Sequence, residues 1–284
     1  MEPARQRAAV MAVAAGAPAL GQLDQALEGR NVSHQYAPRS RLVLDNVSLR
    51  VRRGEFVSLV GSSGCGKTTF LSVLCGTIKP SRGSVLVNGR DVTGVPSTGR
   101  GTVFQSDRLY PWRTALRNVT FPLELAGESS KAARQKAVEV LKLVGLSQHI
   151  DAYPSELSGG MRQRVNVARA LVVEPDFLLM DEPFASLDAQ TREVMQVELL
   201  RILGSTSAGV VFVTHQIDEA LLLSDRVVVV VANPGRIATQ ITVPFERPRD
   251  RGIKRSPEFQ ALSDEIWKQI EGDVMRATES DADA

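Results

Sequence analysis

FVSLVGSSGCGKTTFLSVLC, residues 56–75, decides the reading of this 284-residue chain. Its first five residues are a short, largely apolar run with valines at 57 and 60, the composition of a strand covered on both faces. Gly61, Ser62, Ser63, Gly64, Cys65, Gly66, Lys67 and Thr68 follow, and residues 68–75 read as a helix stopped by Gly76. The spacing G-x-x-x-x-G-K-[ST] between a strand and a helix is that of a phosphate cradle. Glycines let the backbone wrap an anion without Cβ clashes, so that successive N–H groups point inward. The helix N-terminus adds partial positive charge, Lys67 can reach the outer phosphates, and the Thr68 hydroxyl can ligate Mg2+.

Working outward, residues 47–51 read as a strand joined to 56–60 through the turn Arg52-Arg53-Gly54. Residues 84–87 read as another, closed by Asn88-Gly89. Residues 131–144 place Ala133, Ala137, Val140, Leu141 and Val144 on one face of an amphipathic helix, with Gly145 as its stop. A second helix is predicted from about Gly160 to Val173. Strands follow at 177–180, 209–214 and 227–232. Residues 210–213 are apolar throughout, as in a strand covered on both faces of a parallel sheet. This order predicts an α/β core with a mainly helical insert at roughly residues 106–170.

Residues 1–28 read as a disordered N-terminal extension. Its stretch 8–20 has the outline of a signal peptide behind Arg5 and Arg7, but alanine and glycine supply little hydrophobic drive. At the other end, Arg247, Arg249, Arg251, Lys254 and Arg255 read as a solvated basic loop. Phe259, Leu262, Ile266 and Ile270 mark a short amphipathic helix, and the last dozen residues a disordered acidic tail.

The 34 Lys+Arg against 32 Asp+Glu leave a charge of +2, and 43% of residues are hydrophobic. That balance excludes a disordered chain and argues against a nucleic-acid partner. Two cysteines and three scattered histidines offer neither a disulfide framework nor a metal site, which suits a reduced, intracellular protein. No run approaches the roughly 18 apolar residues of a membrane span.

Two further stretches carry chemistry. In FLLMDEP, residues 177–183, an apolar strand ends in two carboxylates. Asp181 suits Mg2+ beside the phosphates, and Glu182 is placed to orient or deprotonate an attacking water. In LSGGMRQR, residues 157–164, Ser158, Gly159 and Gly160 open a helix and form a second anion site. With this third stretch the chain resembles the ATP-binding cassette (ABC) ATPases, over about residues 29–245. The resemblance implies a P-loop NTPase fold: a RecA-like α/β core, a helical subdomain bearing the signature, and an antiparallel β subdomain.

It also implies roles, residue by residue. ATP is held by Gly61 to Thr68 together with Thr69, and by Tyr36, which resembles the aromatic that stacks on adenine. Gln105 resembles the Q-loop glutamine that touches Mg2+ and the attacking water, so the metal set is Thr68, Gln105 and Asp181. Glu182, His215 and Gln105 form the catalytic set, His215 resembling the switch histidine on the γ-phosphate. Asp188 resembles the D-loop aspartate at the dimer interface and can also cap the following helix. The family implies a head-to-tail pair, each ATP clamped between one subunit's lysine loop and the other's Ser158-Gly159-Gly160. Two positions depart from the pattern. Met161 replaces a common glutamine, and Gln216 follows His215 where many relatives carry an acid.

With one cassette and no span, the resemblance is to a separate ATPase subunit docked on an integral-membrane permease, peripheral on the cytoplasmic face of the inner membrane. Residues 109–113, 181–192, 233–237 and 247–250 resemble the nitrate/sulfonate/taurine importer group, in which a solute-binding protein delivers the cargo. Subunits for bicarbonate, pyrimidine vitamin precursors or lipid, exporters, and regulatory cassettes without a permease are the alternatives. Residues 109–117, with Tyr110 and Trp112, are the predicted docking surface.

Overall fold

The computed structural model describes residues 25–37, 40–247 and 249–282. Strands β1 (Ala26–His34) and β2 (Leu44–Arg52) precede β3 (Phe56–Val60) and helix α1 (Lys67–Cys75). β4 (Arg82–Val87), the two-residue β5 (Arg90–Asp91) and β6 (Arg100–Val103) lead into α2 (Ala115–Leu125), α3 (Ser130–Leu143) and α4 (Gly159–Leu171). The chain then alternates through β7 (Phe177–Asp181), α5 (Ala189–Gly204), β8 (Gly209–Val213), α6 (Ile217–Leu223) and β9 (Arg226–Val231). β10 (Arg236–Thr242) and α7 (Pro257–Ala282) complete it.

The described strands form two sheets. One runs β10-β9-β3-β8-β7-β6, parallel except for β10; the other, β2-β1-β4-β5, is antiparallel. Every residue of β3, β7 and β8 is buried, which suits their valine- and leucine-rich runs. Alternate residues then face different layers. Leu59, Leu179 and Val213 pack with Phe70 and Leu74 of α1 and with the antiparallel sheet. Phe56, Met180 and Phe212 pack with the helical region of α2 to α5.

Register levels the carboxyl ends of these strands. Leu59 lies opposite Val213, Val213 opposite Asp181, and Met180 opposite Val103. The loops after β3, β6, β7 and β8 therefore leave the sheet along one edge, where ligands bind in open α/β sheets.

The chain's ends differ from their sequence reading. β1 starts at Ala26, inside the stretch read as an extension; residues 1–24 lie outside the described residues. Ala26–His34 has only one β-branched residue, Val32. It is a strand because β2 and β4 pair with it on both sides, so context supplies what propensity lacks.

At the C-terminus, α7 is 26 residues long rather than a short helix with a disordered tail. No proline follows Pro257, and the residues beyond Gly272 are mostly tolerant of helix.

The first two arginines of the basic run are bound into the fold, whereas Arg255 is exposed as expected. Arg249, 7% exposed, donates to the carbonyls of Leu221 (3.1 Å), Ser224 (2.5 Å) and Phe245 (2.9 Å), closing the end of α6. Arg247 donates to the Leu223 carbonyl at 2.8 Å and pairs with Asp225 at 3.0 Å. Four unpaired carbonyls end every helix, and a guanidinium fork can satisfy several of them.

Phe259 and Ile266 of α7 are fully buried among Val60, Leu221 and Val229, and Phe259 stacks on Phe245 with ring centroids 5.8 Å apart. Phe259→Ala should therefore cost about 3–5 kcal/mol in denaturant unfolding. A loss below about 1 kcal/mol would mean that α7 is not part of this core.

Candidate active site

The loop from Gly61 to Gly66 joins the end of β3 to α1. Gly66 adopts φ +97° as the cap of α1, and a Cβ there would lie 2.7 Å from Leu44. A Cβ on Gly61 would sit 2.0 Å from the Val230 carbonyl oxygen, so the loop starts where only glycine fits. Lys67 is buried, and its Nζ donates to the carbonyls of Gly61 (2.9 Å) and Ser62 (2.8 Å), tethering the ammonium to its own loop. Phosphate oxygens are stronger acceptors for that ammonium than neutral carbonyls.

The Thr68 hydroxyl donates to Asp181 Oδ1 at 3.0 Å, joining α1 to the end of β7. Burial pushes the Asp181 carboxyl above its ordinary range, and Glu182 beside it adds to the rise. The Thr68 hydroxyl and Lys67 oppose it. Thr69 bonds the hydroxyl of Tyr36 at 2.9 Å. The Tyr36 ring, 64% exposed, meets His34 edge-on at 4.9 Å and stands beside the first turn of α1 with a face available for stacking.

Three predicted residues from three different loops come together. Gln105, after β6, reaches Glu182 Oε2 through Nε2 at 3.4 Å, and His215 Nδ1, after β8, lies 3.3 Å from the same oxygen. Glu182 has φ +42°, an unusual backbone for a side chain of this size. Its N–H donates to the Val213 carbonyl at 2.9 Å, which holds the turn against β8.

Ser158, Gly159 and Gly160 lie elsewhere. Ser158 caps α4, accepting the Met161 N–H at 3.2 Å. A Cβ on Gly160 would lie 2.9 Å from Thr191, and one on Gly159 3.6 Å from Leu187, so this turn rests on α5 and the loop before it. Asp188 caps α5, accepting the Thr191 N–H at 3.0 Å, and the Thr191 hydroxyl together with that N–H holds its carboxyl below the ordinary range. At the two departures, the Met161 N–H bonds Ser158 and the Gln216 N–H bonds Thr214 Oγ1, contacts that any non-proline residue could make.

Residues 44–185 match the ABC transporter family. An uncharacterized ABC transporter ATP-binding protein of Methanocaldococcus jannaschii is 49% identical over 232 residues, 80% of this chain and 86% of that protein. Taurine import ATP-binding proteins of Pseudomonas aeruginosa (43% over 255 residues, 87% of this chain and 97% of theirs) and Mesorhizobium japonicum (45% over 244 residues, 84% and 95%) are similar too. A solved dimeric ATP-binding cassette, in a post-hydrolysis state with ADP and Pi, superposes with TM-score 0.67 at 32% identity, covering 78% of this chain and all of that one. The chain belongs to the ABC transporter ATP-binding family. It is an ATPase, an ABC ATP-binding subunit on a P-loop NTPase fold.

In this ABC ATPase, α4 also carries residues that the motif reading passed over. Arg162 Nε pairs with Asp107 at 3.0 Å, and Arg169 donates to the carbonyls of Asp107 (2.7 Å) and Arg108 (2.8 Å). Asn166 donates to the Phe104 carbonyl at 3.3 Å. The helix that opens at Ser158 thus holds the loop that carries Gln105. The signal was available: positions 162, 166 and 169 share one helix face.

Asp181 in its charged form is a cost to the fold of this ABC ATPase. Its folded-state pKa is raised, so the penalty is present at neutral pH and vanishes as pH falls through that raised value. Asp181→Asn should accordingly raise the melting temperature of the nucleotide-free protein at pH 7.5, with the gain shrinking as pH is lowered. A melting temperature unchanged at every pH would contradict the buried-charge argument.

Proposed function

We propose that this chain powers an importer for a small anion such as nitrate, an alkanesulfonate or taurine, acting as a head-to-tail pair on a separate permease. The observation that carries the mechanism is the meeting of Gln105, Glu182 and His215 at one carboxylate oxygen, beside the Thr68–Asp181 pair. In this reading Lys67 and the loop N–H groups hold the phosphates of ATP, and Tyr36 stacks on the adenine. Glu182 orients the attacking water and takes its proton. Gln105 and His215 position that carboxylate, and His215 also contacts the γ-phosphate.

The oxygen set of Thr68, Asp181 and Gln105 fits Mg2+, an oxygen-seeking ion held through one or two carboxylates, here Asp181, with water and phosphate in the rest of its shell. Among the described residues no group of three His, Cys, Asp or Glu could hold a metal ion, so in this reading the nucleotide would share the coordination. When bound, the ion neutralises charge on the β- and γ-phosphates.

The lysine loop rests on β7 through Asp181, whereas Ser158 rests on α5. One chain thus offers two anion sites on different supports, and a second copy placed head to tail would bring Ser158, Gly159 and Gly160 onto the first copy's ATP, with Asp188 at the interface. The dimeric cassette with ADP and Pi supports this arrangement.

A permease docking site also follows. Phe104, Arg108, Tyr110, Phe121, Leu125 and Arg169 line a groove of about 580 Å³ beside the Gln105 loop. Within the predicted surface Leu109 is buried and Tyr110 packs on Phe121 at 4.9 Å, while Trp112 is 72% exposed. The docking surface therefore shifts from residues 109–117 to the groove and its exposed rim. Among the described residues no helix is long and apolar enough to cross a membrane, which suits a peripheral subunit on the cytoplasmic face. Import rests on the taurine importers among the relatives, and a solute-binding protein as the delivering partner rests on the family resemblance alone.

Glu182→Gln should lower turnover about 10²–10⁴-fold while an ATP-bound dimer accumulates in size-exclusion chromatography. Rapid hydrolysis by that variant would remove Glu182 as the base. Lys67→Ala should lose ATP affinity in calorimetry. In cells lacking the gene, uptake of labelled taurine, sulfonate or nitrate should fall for one of the three; unchanged uptake of all would sink the cargo class.

A further inference from the structure

Asp188, Arg192 and Gln196 stand four residues apart along α5 and so share one face of that helix. Asp188 caps it. Arg192 reaches back, its Nε donating to the Phe184 carbonyl at 3.2 Å and its Nη2 to the Leu187 carbonyl at 2.7 Å. That pins the loop between Glu182 and Asp188. Gln196 is buried and donates from Nε2 to Glu219 Oε1 at 3.0 Å. The other Glu219 oxygen accepts the Thr214 hydroxyl. Thr214 Oγ1 accepts in turn the Gln216 N–H at 3.1 Å. Thr214 and Gln216 are the two neighbours of His215.

Glu219 has no part in the chemistry above, yet it is 4% exposed in the interior of the first turn of α6. Burial pushes its carboxyl up, and its bonds to Thr214 and Gln196 only offset this. An apolar residue would occupy that interior at lower cost. The geometry suggests what the carboxylate contributes. The His215 side chain is exposed, and its ion-pair contact is with Glu182. Little packing orients it, so the backbone on either side must. A Thr214 hydroxyl that donates to Glu219 and accepts from Gln216 fixes that backbone.

We infer that Glu219 is a positioning residue that links the loop before Asp188 to His215, through Gln196 and Arg192 on one side and Thr214 on the other. Movement of the loop, which in the proposed pair lies at the subunit interface, is thereby transmitted to the residue on the γ-phosphate. This inference rests on the roles proposed above for His215 and Asp188.

The test measures kcat, KM and ATP affinity by calorimetry on the full-length chain. Glu219→Ala and Thr214→Val should each lower kcat about tenfold with ATP affinity unchanged. The double variant should be no worse than either single one, because both cut the same link. Glu219→Gln should recover most of the loss, since Gln196 can turn its amide and offer Oε1, which is unpartnered in the structure. Thr214→Ser should recover it likewise. Wild-type kcat in Glu219→Ala or Thr214→Val overturns the inference. So do kcat and affinity falling together with no recovery in Glu219→Gln, the mark of a merely structural residue. His215→Ala separates the two levels. If it keeps turnover, the reading beneath the link fails. If it loses turnover while Thr214→Val and Glu219→Ala keep it, the link alone fails.

Discussion

The level ends of four parallel strands are the constraint on which the site depends. Leu59, Val213 and Asp181 stand side by side across β3, β8 and β7, and Val103 of β6 lies beside Met180. A slip of one residue in any of these strands would turn its buried face over and carry its loop out of line. Full burial of β3, β7 and β8 makes such a slip costly. The ladder also continues past the strands: the Glu182 N–H bonds the Val213 carbonyl, and the Thr214 N–H bonds the Leu59 carbonyl at 3.2 Å. Glu182 and His215 are thus placed by backbone bonds before any side chain acts.

On that frame sit groups that lower stability. Asp181 is buried beside a second carboxylate, and Glu182 holds a left-handed backbone. Each is unfavourable in isolation, and each is tolerated because the strands around it over-determine the geometry. The same features suit a site that takes a cation and a polyanion together. Buried acids gain most from a metal, and a lysine held by neutral carbonyls and the Cys65 sulfur is easily drawn to phosphate.

Much of this was legible in the chain because it is local. The loop of Gly61 to Thr68 needs only the sequence on either side of it, and the apolar runs ending at Asp181 and before His215 announce buried strands. That Gln105, Glu182 and His215 belong to one catalytic set was expected from family resemblance; that they meet at one Glu182 oxygen was not, since nothing in the spacing of 105, 182 and 215 requires it and strand order does. What stayed hidden is non-local or weakly patterned. β1 has a single β-branched residue and exists through its two neighbours. α2 contains Pro122, which weakens the helical signal that its packing restores. The basic run from Arg247 looks like a surface loop because composition does not reveal which carbonyls a guanidinium will find.

That last difference changes what the C-terminal segment does. α6 has only seven residues, too few to hold a helix in isolation, yet only its cap Gln216 separates it from His215. It is fastened at both ends. At its start Glu219 bonds Thr214 and Gln196; at its end Arg249 takes the carbonyls of Leu221 and Ser224. Phe259 of α7 completes its packing, in a cluster with Ala220 and Leu221. Residues beyond 245 therefore serve the same short helix as the buried glutamate does, from the opposite end. A chain cut after β10 would keep every motif of the site and lose the support behind one of them.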